Sequence, residues 1–399
     1  MAQRVLIAGG GIGGLAAALS LAQARAEVDL FERAGAFAEV GAGIQLGPNV
    51  TRLLHGWGLA LPLRAVAAFP SCLRVRGAAT GQELAALRLG EAMQQRYGAP
   101  YATIHRADLH GLLLHAVREQ GHAKLHPGQA VSAVDQTALG VRLQSADARW
   151  HAGELLVGAD GLWSVVRQQL LGDGLPRFTG QLAFRALCPQ RNLPAALRSQ
   201  EITVWLAPGV HVVQYPVRGG EFLNMVAVLQ SVGSGAPGAD AQALQDWDHA
   251  TDAAPLRAAL AGSARALQDC VRAMDNWRLW ALCDRPALRG PQEQFRGRIV
   301  LLGDAAHPMR PYLAQGAGMA IEDAAELGRL FQQSPALPMA ELAARYAQAR
   351  WQRNRRVQQR SRRNGSIFHA SGPVRMARDA ALRLLGERLI DLPWLYRGG

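Results

Sequence analysis

The sequence predicts an α/β chain built on a mainly parallel sheet, with a smaller antiparallel sheet and a helical C-terminal region beside it. Three observations carry that prediction. A glycine-rich turn separates a short apolar run from an alanine-rich helical stretch near the N-terminus; alternating β-branched runs crowd residues 201 to 228; strand-like pattern disappears after Ile321.

Arg4-Val-Leu-Ile-Ala8 is a short buried strand by its β-branched residues, Leu15 to Ala24 has helical spacing, and Glu27 to Glu32 alternates as a second strand. The three make one βαβ unit with a parallel pair. The apolar runs at 154–159 and 298–303 both end on glycine and acid residues and are expected to rejoin the same sheet. The runs 201–206, 211–215 and 222–228 predict antiparallel strands, and residues 231–240, rich in Gly, Ser and Pro, predict a surface loop. Beyond Ile321 the chain reads as helix, with a break at Pro335 to Pro338.

A length of 399 residues suits two cores, and no apolar run reaches the roughly 20 residues that span a bilayer. Neither a disulfide scaffold nor a metal site is expected, because Cys72, Cys188, Cys270 and Cys283 are scattered without a CxxC pair; they read as reduced thiols of a cytoplasmic protein. The net charge of +12 is carried by arginine, Lys124 being the sole lysine. The arginine run from Arg350 to Arg363 reads as the solvated face of one helix, not as a nucleic-acid surface. A positive field of this size favours anionic substrates.

The turn Gly9-Gly-Gly11-Ile-Gly-Gly14 is a GxGxxG directly after a strand and opening a helix. In a Rossmann-like unit, Gly9, Gly11 and Gly14 let backbone approach a pyrophosphate at the helix N-terminus. Glu32, with Arg33 after it, closes the second strand, where an acid accepts hydrogen bonds from a ribose. By itself this fits any dinucleotide. Further along stand Asp160-Gly-Leu-Trp-Ser164-Val-Val-Arg167 and Gly303-Asp304-Ala-Ala-His307-Pro308, the latter followed by Pro311-Tyr-Leu-Ala-Gln315-Gly316-Ala317-Gly318.

These motifs, in this order along nearly the whole chain, resemble the flavoprotein aromatic hydroxylases. Within them the chain looks most like the salicylate, 3-hydroxybenzoate and 6-hydroxynicotinate hydroxylase group, through Gly41-Ala-Gly-Ile-Gln45-Leu-Gly-Pro-Asn49, Tyr312-Leu-Ala-Gln315-Gly316 and Tyr215-Pro-Val-Arg-Gly-Gly220. The resemblance implies non-covalent FAD, NADH or NADPH and O2 as co-substrates, and hydroxylation of a small phenolic acid through a hydroperoxide at flavin C4a. It implies that Asp304 binds the ribityl chain, that Gly316, Ala317 and Gly318 face the flavin's pyrimidine edge, that Arg106 contacts FAD and that Asp160 lies near flavin and nicotinamide. Gln45 and Pro311 would face the substrate; Gln45 replaces a histidine of the hydroxynicotinate enzymes.

The resulting division is a discontinuous FAD domain (1–70, 101–175 and 290–335), a substrate domain (71–100 and 176–289) and a C-terminal helical region (336–399), in a monomer or homodimer. A phenol ionises near pH ~10, so a nearby acceptor is needed. His211 is the preferred base, with Tyr215 four residues on and therefore on the same strand face. Gln315 is a candidate for bonding the phenol or holding the flavin loop, while His307 reads as structural. Arg185 and Arg310 are candidates for a substrate carboxylate, which a guanidinium fork fits; Arg310 is a charge where many relatives carry an apolar residue. Another FAD-dependent oxidoreductase of the same fold, such as an epoxidase, and a non-catalytic flavin- or nucleic-acid-binding protein are the alternatives.

Overall fold

The computed structural model describes residues 3–37, 42–231 and 248–398, so the loop expected at 231–240 lies outside them apart from Ser231. Strand Arg4–Ala8 sits inside a six-stranded sheet, flanked by Glu27–Glu32 on one side and Leu155–Gly158 on the other, all parallel. Ile299–Leu301 joins parallel beyond Leu155–Gly158, as its sequence predicts, and a short antiparallel hairpin strand, Phe295–Arg296, closes that edge. Helix Ile12–Gln23 buries nearly its whole length because alanines and leucines surround its axis; it packs between the sheet and the helices Arg106–Gln120 and Gly316–Gln333. A helix apolar all round belongs to an interior.

The second sheet has eight strands, drawn from residues 72–88, 177–230 and 248–284. One pair departs from the antiparallel expectation: Ile202–Ala207 runs parallel to Cys72–Gly77. These two strands come from separate passages of the chain, so no hairpin dictates their direction. On Val210–Val217 the two-residue period sends Val210 and Val212 into a core with Phe184, Met225, Leu256 and Leu267. It turns His211, Val213 and Tyr215 to the face that meets the C-terminal helices and the cofactor half.

The arginine run corrects the reading of a solvated face. Helix Met339–Phe368 turns Arg350, only 5% exposed, onto Asp323 (2.8 Å) and Glu322 (3.0 Å). Arg353 joins Glu322 at 2.5 Å, and Arg362 reaches Asp284 at 3.0 Å. The physical reason is that two adjacent acids on a buried helix turn require neutralisation, which the next helix supplies. Asp323 is fully buried, which pushes its pKa up, yet His307 and Arg350 beside it outweigh burial and hold it well below the carboxylate range. Its stabilisation is complete above the unfolded carboxylate pKa near ~3.9 and is lost as pH falls below it. Asp323→Asn leaves Arg350 short of a counter-charge and should cost about 3–5 kcal/mol at neutral pH, read by urea unfolding. Unchanged stability would show that Glu322 alone suffices.

Among the described residues no helix is long and apolar enough to cross a membrane, and no group of His, Cys, Asp and Glu could hold a metal ion.

Candidate active site

The glycine turn is shaped as a backbone cradle. Gly9 has φ +103°, and a Cβ there would lie 2.4 Å from the Ala159 carbonyl oxygen; one on Gly14 would lie 1.8 Å from that of Gly9. No side chain other than hydrogen fits either place. Gly11 is the N-cap of helix Ile12–Gln23 and offers no side chain to its first N–H groups, which leaves them for a phosphate. Glu32 folds over the turn: Oε2 accepts from Gly10 N–H at 2.6 Å and Oε1 from Ala34 N–H at 2.9 Å, while Arg33 is exposed beside it. His110, on helix Arg106–Gln120, bonds the Gly10 carbonyl at 2.8 Å. Arg106 starts that helix, its N–H donating to Ala42 O.

Asp304 lies on a one-turn 3-10 segment, Gly303–Ala305, at the end of the Ile299–Leu301 strand, with its side chain exposed. The helix opening at Gly316 is close by, since a Cβ on Gly316 would be 3.9 Å from Asp304 Oδ1. Gln315 precedes this helix from a buried position, accepts from Asn49 Nδ2 at 3.1 Å and makes no side-chain bond to the helix's first N–H groups. That packing stiffens the start of Gly316-Ala317-Gly318. The middle motif braces the later one: Arg167, 2% exposed, donates to the carbonyls of Ala305 (3.0 Å) and Ala306 (2.7 Å) and pairs with Asp173. Asp160 accepts from Ser164 and from the N–H groups of Val165 and Val166, so it caps helix Val165–Leu171. A backbone cradle, a ribose-height acid, an exposed acid and an uncapped helix opening together fit an FAD.

An apolar cavity of about 460 Å³ opens between the second sheet, the 311–314 loop and the C-terminal helices. Pro311, Tyr312 and Leu313 line it, as do Gln45 and Tyr101, whose hydroxyl donates to Gln45 Oε1 at 2.8 Å. Burial raises the Tyr101 pKa above the usual tyrosine range, so this hydroxyl stays a donor. Tyr101 and Arg360, also on the wall, are residues that sequence reasoning missed. Tyr101 stands between the second sheet's first strands and the His105-Arg106 segment and belongs to no motif; Arg360 was hidden inside the arginine run.

Of the expected pair on Val210–Val217, Tyr215 ties its strand to the strand Gly43–Leu46 that carries Gln45, donating to Gly43 O at 2.6 Å, and burial raises its pKa as well. His211 is 2% exposed and lies behind the wall rather than on it. Its ring packs on Tyr312 at 5.0 Å between centroids, and Nδ1 shares a hydrogen bond with His369 Nε2 at 2.9 Å. Burial and then His369 push its pKa well down, so the imidazole is neutral. Arg310 is engaged by Asp284 at 2.9 Å, and Arg185 stacks over Trp280 beside a separate, smaller hollow. Neither lines the main cavity.

A family model described as FAD binding domain matches residues 2–361. The chain is 38% identical to a 3-hydroxybenzoate 6-hydroxylase of Aquipseudomonas alcaligenes, covering 93% of this chain and 91% of the relative. It is also 38% identical to a 3-amino-4-hydroxybenzoate 2-monooxygenase of Streptomyces platensis, covering 98% and 95%. A salicylate hydroxylase structure in complex with substrate superposes with a TM-score of 0.83 at 27% identity, over 100% of this chain and 96% of that one. The cradle for a dinucleotide and matches of this length lead to one conclusion: the chain belongs to the FAD-binding-domain family and, within it, to the FAD-dependent aromatic hydroxylases.

Proposed function

We propose that this NAD(P)H- and O2-dependent monooxygenase hydroxylates a hydroxybenzoate-like phenolic acid, ortho or para to the existing hydroxyl. The observation that carries the reading is the cavity itself: apolar, large enough for one aromatic acid, and bordered by the loop that follows Asp304. The 3-hydroxybenzoate and aminohydroxybenzoate substrates named for two relatives support it. Bound FAD supplies the hydride acceptor and the O2-activating centre, which no side chain provides.

The chain's own residues hold the cofactor and prepare the ring. Gly9, Gly11 and Gly14 receive the pyrophosphate, Glu32 the adenosine ribose and Asp304 the ribityl hydroxyls, with Arg33, Arg106 and Asp160 around them and Gly316, Ala317 and Gly318 toward the flavin ring. Gln45 and Pro311 face the substrate; Gln315 holds the loop. Apolar walls exclude water, and a phenol must lose its proton before its ortho and para carbons become nucleophilic. In this reading His211 accepts that proton once the Tyr312 ring that covers it moves aside, with Tyr215 securing the strand. The same reading assigns 1–70, 101–175 and 290–335 to FAD, 71–100 and 176–289 to substrate and 336–399 to a cover. It places a monomer or homodimer in the cytoplasm, in keeping with four free cysteines.

The test is a panel of phenolic acids scored for stimulated NADH or NADPH oxidation, with product identification under labelled O2. 3-Hydroxybenzoate or salicylate should stimulate, and one labelled oxygen atom should enter the ring. Stimulation without hydroxylated product by any member, or label arriving from water, would defeat the proposal.

A further inference from the structure

We propose that Arg360 is the carboxylate anchor of the cavity, so that the enzyme selects an aromatic acid as its anion over the neutral phenol. The inference rests on the hydroxylase reading and adds the feature that picks the substrate class. Arg360, Asn364 and Phe368 follow one another at four-residue steps on helix Met339–Phe368 and share the face that lines the cavity. Asn364 is occupied with the Tyr312 carbonyl at 3.2 Å. Arg360 is not occupied: its Nε is buried without a partner, and among the described residues it makes no hydrogen bond or ion pair.

Its neighbours differ. Arg350, Arg353 and Arg362 on the same helix each contact a carboxylate within 3.0 Å. Arg378, the other arginine on the cavity wall, pairs with Asp379 at 2.7 Å and donates to the carbonyls of Ile367 and Phe368. The charge nearest in effect to Arg360 is Arg363, of the same sign, and burial followed by that neighbour draws its pKa below the ordinary arginine value. A half-buried guanidinium whose Nε–H lies against an apolar wall without a partner carries part of the cost of desolvation. An anion from solution removes that cost, and a carboxylate matches the planar fork with two parallel hydrogen bonds. Arg185 and Arg310 leave this role open, the first stacked on Trp280 beside another hollow and the second held by Asp284.

The experiment titrates FAD-loaded enzyme with 3-hydroxybenzoate and with the near-isosteric neutral 3-hydroxybenzamide, following the flavin absorbance change. Arg360→Gln should weaken the acid about 10- to 100-fold, the range for lost hydrogen bonds to a charged group. The amide should change by less than about threefold, the usual reach of a substitution that removes no contact. Arg360→Lys should recover part of the loss, since it restores charge without the fork. Because the variant removes an uncompensated charge, its melting temperature without ligand should be no lower than the parent's. Equal weakening of acid and amide, or an acid affinity that Arg360→Gln leaves alone, overturns the anchor even when phenol-stimulated NADH oxidation is intact. A parent whose NADH oxidation responds to no phenol, acid or amide, overturns the hydroxylase reading and the anchor with it.

Discussion

Gly14→Val should purify without FAD. The predicted loss is near complete because the first atom of any side chain at Gly14 would lie 1.8 Å from the Gly9 carbonyl oxygen, well inside van der Waals contact. Neither side can yield cheaply: Gly9 is at φ +103° against Ala159, and the helix after Gly14 is buried along its length. The turn must therefore open, and the N–H groups that would meet the pyrophosphate lose their common focus. Misfolding would give the same colourless protein, so Asp304→Ala is the companion. Asp304 is exposed, and its removal opens no core. It should keep the parent's circular dichroism and weaken FAD about 10- to 100-fold, as expected for lost charge-assisted hydrogen bonds. The check is the flavin-to-protein ratio after gel filtration, followed by titration of apoprotein with FAD. An Asp304→Ala protein that binds FAD as tightly as the parent would remove the ribityl assignment, whatever Gly14→Val does.

The cofactor half was legible because its constraints are local. Glycines at 9 and 14 answer to the path of the backbone within a few residues, and the strand, turn and helix around them are written in the same stretch. Even so, the motif at 160–167 disclosed its presence and not its work. Arg167 contacts carbonyls 138 and 139 residues away, and such a partner has no trace in spacing. The arginine run failed for the same reason: a count of charges cannot show that Arg350 and Arg353 turn toward Glu322 and Asp323 while Arg360 turns toward an apolar wall. The cavity is assembled from the second sheet, the 311–314 loop and four C-terminal helices. A two-residue period placed His211 and Tyr215 on one face correctly, but Tyr312 and His369, which decide what His211 meets, arrive from those distant segments.

That enclosure sharpens what replacing His211 should do. A buried, neutral imidazole paired with a second imidazole is a poor resting store for a proton but can take one briefly during reaction, since one ring nitrogen of each partner is an acceptor. His211→Phe keeps an aromatic ring against Tyr312 and Phe368, slightly larger, and removes the nitrogens together with the bond to His369. It should retain FAD and flavin reduction by NADH, yet slow oxygen transfer to the ring about 10²-fold, with peroxide released in place of product. Raising the pH toward the phenol's own pKa, near ~10, should restore part of the coupling because the substrate then ionises unaided. A second readout concerns stability. The folded pKa of His211 is depressed, so its contribution is full above the unfolded value near ~6.5 and is lost as pH falls below that. His211→Phe should therefore unfold with a flatter pH dependence between neutrality and mild acid than the parent. Product yield per NADH, measured across pH, decides the chemical role. A His211→Phe enzyme with the parent's coupling and pH profile would confine His211 to packing behind Tyr312 and leave the phenol's proton to solvent.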